Sequence, residues 1–314
     1  MVTAEIYFPC YTWFCDKEGL SRKPIVPYLW FDHQAEAAVD LYTHTFLHSH
    51  VVSNSLYTAS GAEVSGRLED SLLSIEFVIA GQPMVALNGG PVYAFTPANS
   101  FYVHCAFAEE VDRIYEKLSA GGEVLMELGQ YPFSPRYAWV QDPFGVNWQI
   151  MQSDQPTQIV PGFLFTGPHI GQAESAIRHY IATIPHSNLQ ALEKGPDGLV
   201  QYATFTLNGQ TFAATESNFD HGFDFSPAIS LLLSCETEAE FESIWTSFTD
   251  ETTDPQCGWV TDRFGITWQI VPEALFALIN CDDGDRRERV LKAMYPMKKI
   301  DLAVLKQAFH GNVL

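Results

Sequence analysis

The residues of this sequence best placed to do chemistry are two glutamines, Gln149 and Gln269, which occupy the same place in two similar strands. The strands read NWQI and TWQI, so each glutamine lies between a tryptophan and an isoleucine. Because side chains alternate across a strand, each glutamine faces away from these apolar neighbours. If the apolar pair packs beneath helices, the amide faces the open side of a sheet. There it either orients a ligand by hydrogen bonds or satisfies neighbouring polar groups.

A second group of candidates lies in the segment GQYPFSPRY, which the second half of the sequence lacks. We interpret it as a loop, and its Tyr131 and Phe133 are candidates for a pocket wall. Arg136 either pairs with an anionic ligand or with one of the many surface acids. His104, in a predicted strand, is either a ligand-binding residue or a histidine beneath the helices or at a sheet edge.

The remaining reactive residues form no recognisable site. His44 and His48 have the spacing of a zinc pair on a helix, but no HExxH motif completes it. The six cysteines are scattered without a CxxC pair, which is typical of buried thiols in a reducing compartment. Asp142 and Asp262 open matching D-x-F-G turns and are interpreted as turn residues. The sequence also contains no GxGxxG, P-loop or GxSxG motif.

The overall composition predicts an acidic globular protein of two domains. The chain has 314 residues and a formal net charge of -21, which would repel nucleic acids and anionic membranes. It has no apolar run of the roughly 20 residues needed to span a bilayer. The first residues, MVTAEIYFPC, lack the basic start of a secretory signal. We therefore expect a cytoplasmic protein with neither nucleic-acid nor membrane partners.

An internal repeat defines the organisation of the chain. Residues 34–46 and 172–184 share six of 13 positions, and residues 137–150 and 257–270 share eight of 14. FVIAGQP and FTPANSFYVHCAF are followed, in the same order, by FTLNGQT and FSPAISLLLSCET. We divide the chain into an N-terminal segment and two repeated units followed by a tail, with bounds 1–24, 25–153, 154–275 and 276–314.

Each copy reads as strand, helix, strands, and then strand, helix, strands. Ala35, Val39 and Tyr42 lie on one helical stripe, whereas Ile75 and Phe77 alternate as in a strand. The predicted fold is α+β, a tandem repeat of paired βαβββ modules. Helices pack on one face of each curved sheet, the other face forms a cup, and the tail is helical.

These blocks resemble the PhnB-like branch of the glyoxalase and bleomycin-resistance (vicinal oxygen chelate) superfamily, in a tandem two-unit form. The resemblance is carried by YLWFDHQAEAAVDLY, LNGGPVYAFTPANSFYV and GWVTDRFGITWQIVP, and it covers roughly residues 25–310. The family is often labelled 3-demethylubiquinone-9 3-methyltransferase and usually forms dimers of one unit per chain. The resemblance therefore implies a pseudo-dimer within one chain, and it leaves further oligomerisation open.

The superfamily's shared chemistry implies a divalent metal held by His or Glu on the concave sheet. Alignment of the motifs places the three ligand slots, in the two copies, on Pro27 and Pro161, near Val103 and Leu233, and on Gln149 and Gln269. Proline, valine and leucine offer no donor, and glutamine is a poor ligand beside a carboxylate. We therefore expect no cofactor, although a divalent metal using His104 remains the alternative.

Four functions follow as hypotheses. The first is a small-molecule binding protein, or an enzyme that acts without the metal, with the cup of the first copy as the active one. The second is a divalent-metal-dependent lyase, isomerase or dioxygenase. The third is a methyltransferase, as the family label implies. The fourth is a structural or regulatory pseudo-dimer without a ligand.

Overall fold

The computed structural model describes residues 23–311, so most of the N-terminal segment, with Cys10 and Cys15, lies outside the described residues. The first copy contains β1 Val26–Phe31, α1 Ala35–Thr45, β2 His50–Leu56, α2 Ala59–Ser65, β3 Leu72–Ile79, β4 Gln82–Asn88, β5 Asn99–Cys105, α3 Ala108–Ser119, β6 Glu123–Tyr131, β7 Ser134–Gln141 and β8 Asn147–Gln152. No helix within residues 23–311 is both long and apolar enough to cross a membrane.

The second copy repeats this order with one strand and one α-helix fewer. It contains β9 Gln158–Phe165, a 3-10 turn Gly167–His169, α4 Ala173–Thr183, β10 Asn188–Lys194, β11 Val200–Leu207, β12 Gln210–Glu216, β13 Ile229–Cys235, α5 Glu238–Phe248, β14 Trp259–Thr261 and β15 Thr267–Pro272. The tail contains α6 Ala274–Ile279, α7 Gly284–Met294 and α8 Leu302–His310. The predicted α+β fold with a helical tail is confirmed.

The two sheets are each shared between the copies, which differs from the expectation of one cup in each copy. The seven-stranded sheet has the order β14-β15-β13-β1-β4-β3-β2, and the eight-stranded sheet has the order β10-β11-β12-β9-β5-β8-β7-β6. Each sheet therefore joins the first half of one copy to the second half of the other. The seams are the antiparallel pairs β1–β13 and β5–β9. Side-chain periodicity identifies strands but does not state which distant strands pair.

The helices nevertheless keep each copy together as a packing unit. In the first copy, Phe31 and Phe77 of the seven-stranded sheet share one apolar cluster with Phe101 and Trp148 of the eight-stranded sheet. Helices α1 and α3 contribute Tyr42 and other buried residues to the same cluster. Each copy thus has its core between the two sheets.

A buried aspartate fixes each of these cores. Asp142 Oδ1 accepts hydrogen bonds from the backbone amides of Phe144 and Val146, at 2.9 and 3.0 Å. Its Oδ2 accepts from the Tyr42 hydroxyl at 2.7 Å and from the Trp148 indole at 2.9 Å. Burial raises the pKa of Asp142, and these four hydrogen bonds oppose the rise. The aspartate therefore shapes its turn, as predicted, and also ties α1 to the turn between β7 and β8.

The second copy repeats the same arrangement around Asp262. Its Oδ2 accepts from the Tyr180 hydroxyl at 2.7 Å and from the Trp268 indole at 3.0 Å. The geometry of the two cores is therefore nearly identical, although the loops around them differ.

The tail takes the place of the strand that the second copy lacks. In the first copy β6 pairs with β7, whereas the backbone amides of Cys257 and Gly258 donate to the carbonyls of Met297 and Lys298, at 2.6 and 2.9 Å. Tail residues, Met294 among them, are fully buried in one cluster with side chains of the seven-stranded sheet. The predicted turn at Tyr295 is confirmed, because this residue is the C-cap of α7.

Candidate functional site

The concave face of the eight-stranded sheet, here the eight-stranded cup, gathers most of the predicted site residues. Ile150 and Val103 pack in the core with Trp148, so the intervening residues of β5 and β8 face the other way. The strand registers then define the face of the cup as Ser100, Tyr102, His104, Tyr137, Trp139, Gln149, Met151, Val160, Gly162, Tyr202, Ala213 and Thr215.

The same alternation corrects the assignment of two ligand slots. Val103 faces the helices, and Pro27 shares its face with Leu29, which is also in the core. The cup-facing residues nearest these slots are Tyr102 and Tyr28. Neither assigned residue faces a cup, because a difference of one residue along a strand reverses the face.

Gln149 is held at both ends of its amide. Its Oε1 accepts a hydrogen bond from the Tyr137 hydroxyl at 2.7 Å, and its Nε2 donates to Ser100 Oγ at 2.9 Å. All three residues are buried. An amide fixed by two partners is pre-organised, because its orientation is set before any ligand arrives.

Phenols surround this amide. Burial raises the pKa of Tyr102 to about 12, and burial also raises the pKa of Tyr137 and Tyr202. The three hydroxyls are therefore protonated near neutral pH and can act as donors. The Tyr102 ring lies directly over Gly162, where an added Cβ would come within 2.4 Å of the ring. That glycine makes room for Tyr102 on the floor of the cup.

Tyr131 and Phe133 lie beside the glutamine network, but in a hairpin and not in the predicted loop. The segment forms the end of β6, a two-residue turn that contains Phe133, and the start of β7. The two rings stack at a centroid distance of 5.8 Å, and both contact Tyr137, at 5.4 and 4.9 Å. Phe133 is 59% exposed. The hairpin thus provides an aromatic wall next to the residue that orients Gln149.

The structure does not place Arg136 in the cup. Arg136 and Val140 are four residues apart on β7, so their side chains lie on the same face of the sheet. Val140 packs beneath the helices, and Arg136 therefore lies on the side opposite the cup. Its Nε donates to Asp112 Oδ1 of α3 at 2.6 Å. Of the two interpretations offered above, pairing with a surface acid is the one observed.

His104 faces the cup and not the helices. It lies beside Met151, two residues along β5 from Tyr102 and on the same face. Its Nδ1 is 3.2 Å from Ser153 Oγ. Burial lowers its pKa, so the imidazole is neutral near pH 7. It lies at the end of the cup, removed from the hydrogen bonds of Gln149.

The concave face of the seven-stranded sheet, here the seven-stranded cup, contains Gln269 in a different setting. Its Nε2 donates to Ser230 Oγ at 3.0 Å, as in the other cup. Its Oε1 has no hydrogen-bond partner within the described part of the chain, because Cys257 stands where the first copy has Tyr137. Leu232 likewise replaces Tyr102. The two glutamines are therefore equivalent in position but not in their surroundings.

The partners of Gln149 were missed from the sequence. Ser100, Tyr102 and Tyr137 were not identified as candidates, although the alternation that placed Gln149 on the cup face also applies to β5 and β7. A comparison of the two copies could have identified them, because Tyr102 and Tyr137 are replaced by Leu232 and Cys257 in the second copy.

The donors around Gln149 do not fit a divalent metal. Gln149 is accompanied at the neighbouring cup positions by Tyr102, Val160 and Ala213. Across residues 23–311, no three His, Cys, Asp or Glu side chains come together. A neutral amide with apolar and phenolic neighbours lacks the carboxylate or imidazole ligands that such metals require.

Two shared, cup-shaped sheets with helices packed on their convex faces define a protein of the glyoxalase-like, vicinal oxygen chelate fold. Glyoxalase I from Zea mays has this arrangement, with 13% sequence identity, a TM-score of 0.51 and coverage of 77% of this chain and 89% of that chain. The chain belongs to the family described as 3-demethylubiquinone-9 3-methyltransferase, which matches residues 23–151 and again 157–271. The predicted family and its tandem form are confirmed.

Single-unit relatives cover one copy each. A putative 3-demethylubiquinone-9 3-methyltransferase, PhnB protein, from Bacillus cereus is 35% identical over 42% of this chain and 100% of that chain, with a TM-score of 0.38. The protein PA1353 from Pseudomonas aeruginosa is 22% identical over 42% and 98%, with a TM-score of 0.36. No curated protein matches the chain significantly.

Proposed function

We propose that this protein binds a small organic molecule in the eight-stranded cup and does so without a divalent metal. The observation that carries the proposal is the Gln149 amide, fixed by Tyr137 and Ser100 in the middle of a concave face. A fixed donor–acceptor group with aromatic walls is the usual construction of a ligand site. The exposed ring of Phe133 supplies apolar surface at the rim.

The chemistry of the face favours a neutral or cationic ligand with a planar ring. The cup-facing positions include no lysine or arginine, and Glu193 of β10 lies opposite Tyr202 on the same face. The phenols of this cup present π faces that attract cations, and the net charge of -21 repels anions at long range. An aromatic carboxylate would lose its hydration without gaining a charged partner.

The proposal is tested by thermal unfolding with three matched probes: benzamide, benzylamine and benzoate. We expect benzamide and benzylamine at millimolar concentration to raise the Tm, and benzoate to have no effect. Gln149→Ala should abolish the increase, whereas the matched Gln269→Ala variant should retain it.

Two results would contradict the proposal. One is a ligand response that Gln149→Ala leaves intact. The other is a purified, chelator-free protein that carries about one equivalent of a transition metal per chain, because the metal-dependent chemistry would then apply.

A further inference from the structure

Glu76 is a buried carboxylate on the face of the seven-stranded cup. Its neighbours on β3, Ile75 and Phe77, pack in the core beneath the helices, so Glu76 points to the concave side. The residue is 1% exposed, and neither carboxylate oxygen has a hydrogen-bond partner in the described chain. A charged group left in this state is strongly unfavourable, so it must take up either a proton or a cation.

Two serine hydroxyls flank this carboxylate. Ser53 lies directly opposite Glu76 in the β2–β3 pair, and Ser74 is two residues along β3 on the same face. Opposite residues have Cβ atoms about 5 Å apart, and residues two apart on a strand are separated by about 7 Å. The hydroxyl oxygens of both serines are buried without a hydrogen-bond partner among residues 23–311.

We propose that Ser53, Ser74 and Glu76 form a binding site for an ammonium group, either the free ammonium ion or the protonated amino end of a primary alkylamine. The group has at least three N–H donors, which match two hydroxyl oxygens and a carboxylate. Calcium would need six to eight oxygens, and magnesium would need a near-octahedral shell. The three acceptors suit an ammonium group better than either metal.

The second copy does not repeat the site. The positions that correspond to Ser53, Ser74 and Glu76 hold Ala191, Tyr202 and Thr204. The acceptors are therefore particular to the seven-stranded cup, and the site is independent of the ligand proposed for the other cup.

The protonation of Glu76 fixes the conditions of the test. Burial raises the pKa of this carboxyl from 4.5 to about 7, and the nearby Ser53 hydroxyl opposes the rise although no hydrogen bond of good geometry joins them. At pH 8 the carboxylate is ionised and ready for a cation, whereas at pH 5 it holds a proton.

Thermal unfolding of the full chain in ammonium, methylammonium and sodium chlorides at equal ionic strength tests the proposal. At pH 8 we expect ammonium or methylammonium to raise the Tm by roughly 2 °C or more above sodium. A response to both salts indicates a site open to an alkyl chain, and a response to ammonium alone indicates a site for the free ion. The increase should vanish at pH 5 and in Glu76→Gln, should shrink in Ser53→Ala, and should persist in the control Thr204→Val.

Equal Tm values in the three salts at pH 8 would overturn the proposal. So would an increase that Glu76→Gln retains, because that would be a general salt effect. As a second readout, NMR of the glutamate carboxyl carbons should show the apparent pKa of Glu76 falling when ammonium replaces sodium, and an unchanged value would also contradict the site.

Discussion

The two cups share one framework but differ in what closes them. In the eight-stranded cup, β6 completes the sheet and its hairpin places Tyr131 and Phe133 at the rim. In the seven-stranded cup, the tail occupies that edge and its helices join the core cluster. The same strand order thus gives one cup with a partly exposed aromatic rim and another sealed by the chain's own end. The two copies thus share the structure of their cores and differ at the edges of their sheets.

Removal of the tail should give the largest effect on this comparison. A variant ending at Asn280 loses Val290, Met294 and Leu305, which are all fully buried. Each large apolar side chain contributes about 1.5–3 kcal/mol. We therefore expect a loss of roughly 5 kcal/mol or more, comparable to the whole stability of a domain.

Circular dichroism melting would measure the loss, and the fluorescence of Trp259, only 4% exposed, should shift to the red. The control is Lys306→Ala, at an exposed position of the tail, which should melt like the intact chain. If the Asn280 variant melts within a few degrees of the intact chain, the tail is not what seals the seven-stranded cup.

The next effect concerns pH and Glu76. Since its pKa rises from 4.5 to about 7, the folded state keeps the proton between these values while the unfolded state releases it. The contribution of the protonated Glu76 to the free energy of unfolding is fully present below about pH 4.5 and is lost as the pH rises through about 7. Without an added amine, Glu76→Gln should exceed the parent stability at pH 8 by about 2–3 kcal/mol.

Urea denaturation at pH 4.5 and pH 8 measures this difference, which should nearly vanish at the lower pH. The matched variant Thr204→Glu would introduce a carboxylate at the corresponding position of the eight-stranded cup. If that site is less enclosed, its destabilisation at pH 8 will be the smaller one. A parent protein that is no less stable than Glu76→Gln at pH 8 would refute the assigned burial.

The smallest effect concerns the partner of the glutamine. Tyr137→Phe removes the donor to Gln149 Oε1 and leaves a buried acceptor unpaired, so it should cost about 1–2 kcal/mol in urea denaturation. The second cup already lacks this donor. Tyr42→Phe and Tyr180→Phe form the control pair, and they should lose equal stability because their bonds to aspartate are both 2.7 Å. A Tyr137→Phe variant as stable as the parent would mean that Gln149 is not held by this bond.

Much of the fold could be predicted because the repeat and the alternation of apolar residues are local properties. The helix containing Val39 and Tyr42 and the strand containing Ile75 and Phe77 are confirmed. Strand β6 was missed because its glycine, and the proline that follows it, suggested a loop. Its alternating burial was visible in Val124, Met126 and Leu128.

The site was harder to predict because it depends on pairings between distant segments. Gln149 was identified from its own strand, but its setting requires that β5 lie between β8 and β9. That contact joins the two copies, and nothing in the spacing along the chain specifies it. Glu76 was overlooked for the opposite reason: an acid within LLSIEFVI was the signal, and it was treated as one member of a strand.

The seams between the copies also matter while the protein is being made. Strands β1 and β5 emerge early, yet their partners β13 and β9 belong to the second copy. At roughly 5–20 residues per second, β1 waits on the order of ten seconds for its partner. During that time its unpaired backbone is a template for strands of other nascent chains. A shared sheet therefore gives the finished protein its continuity and the ribosome-bound chain a period of vulnerability to misassembly.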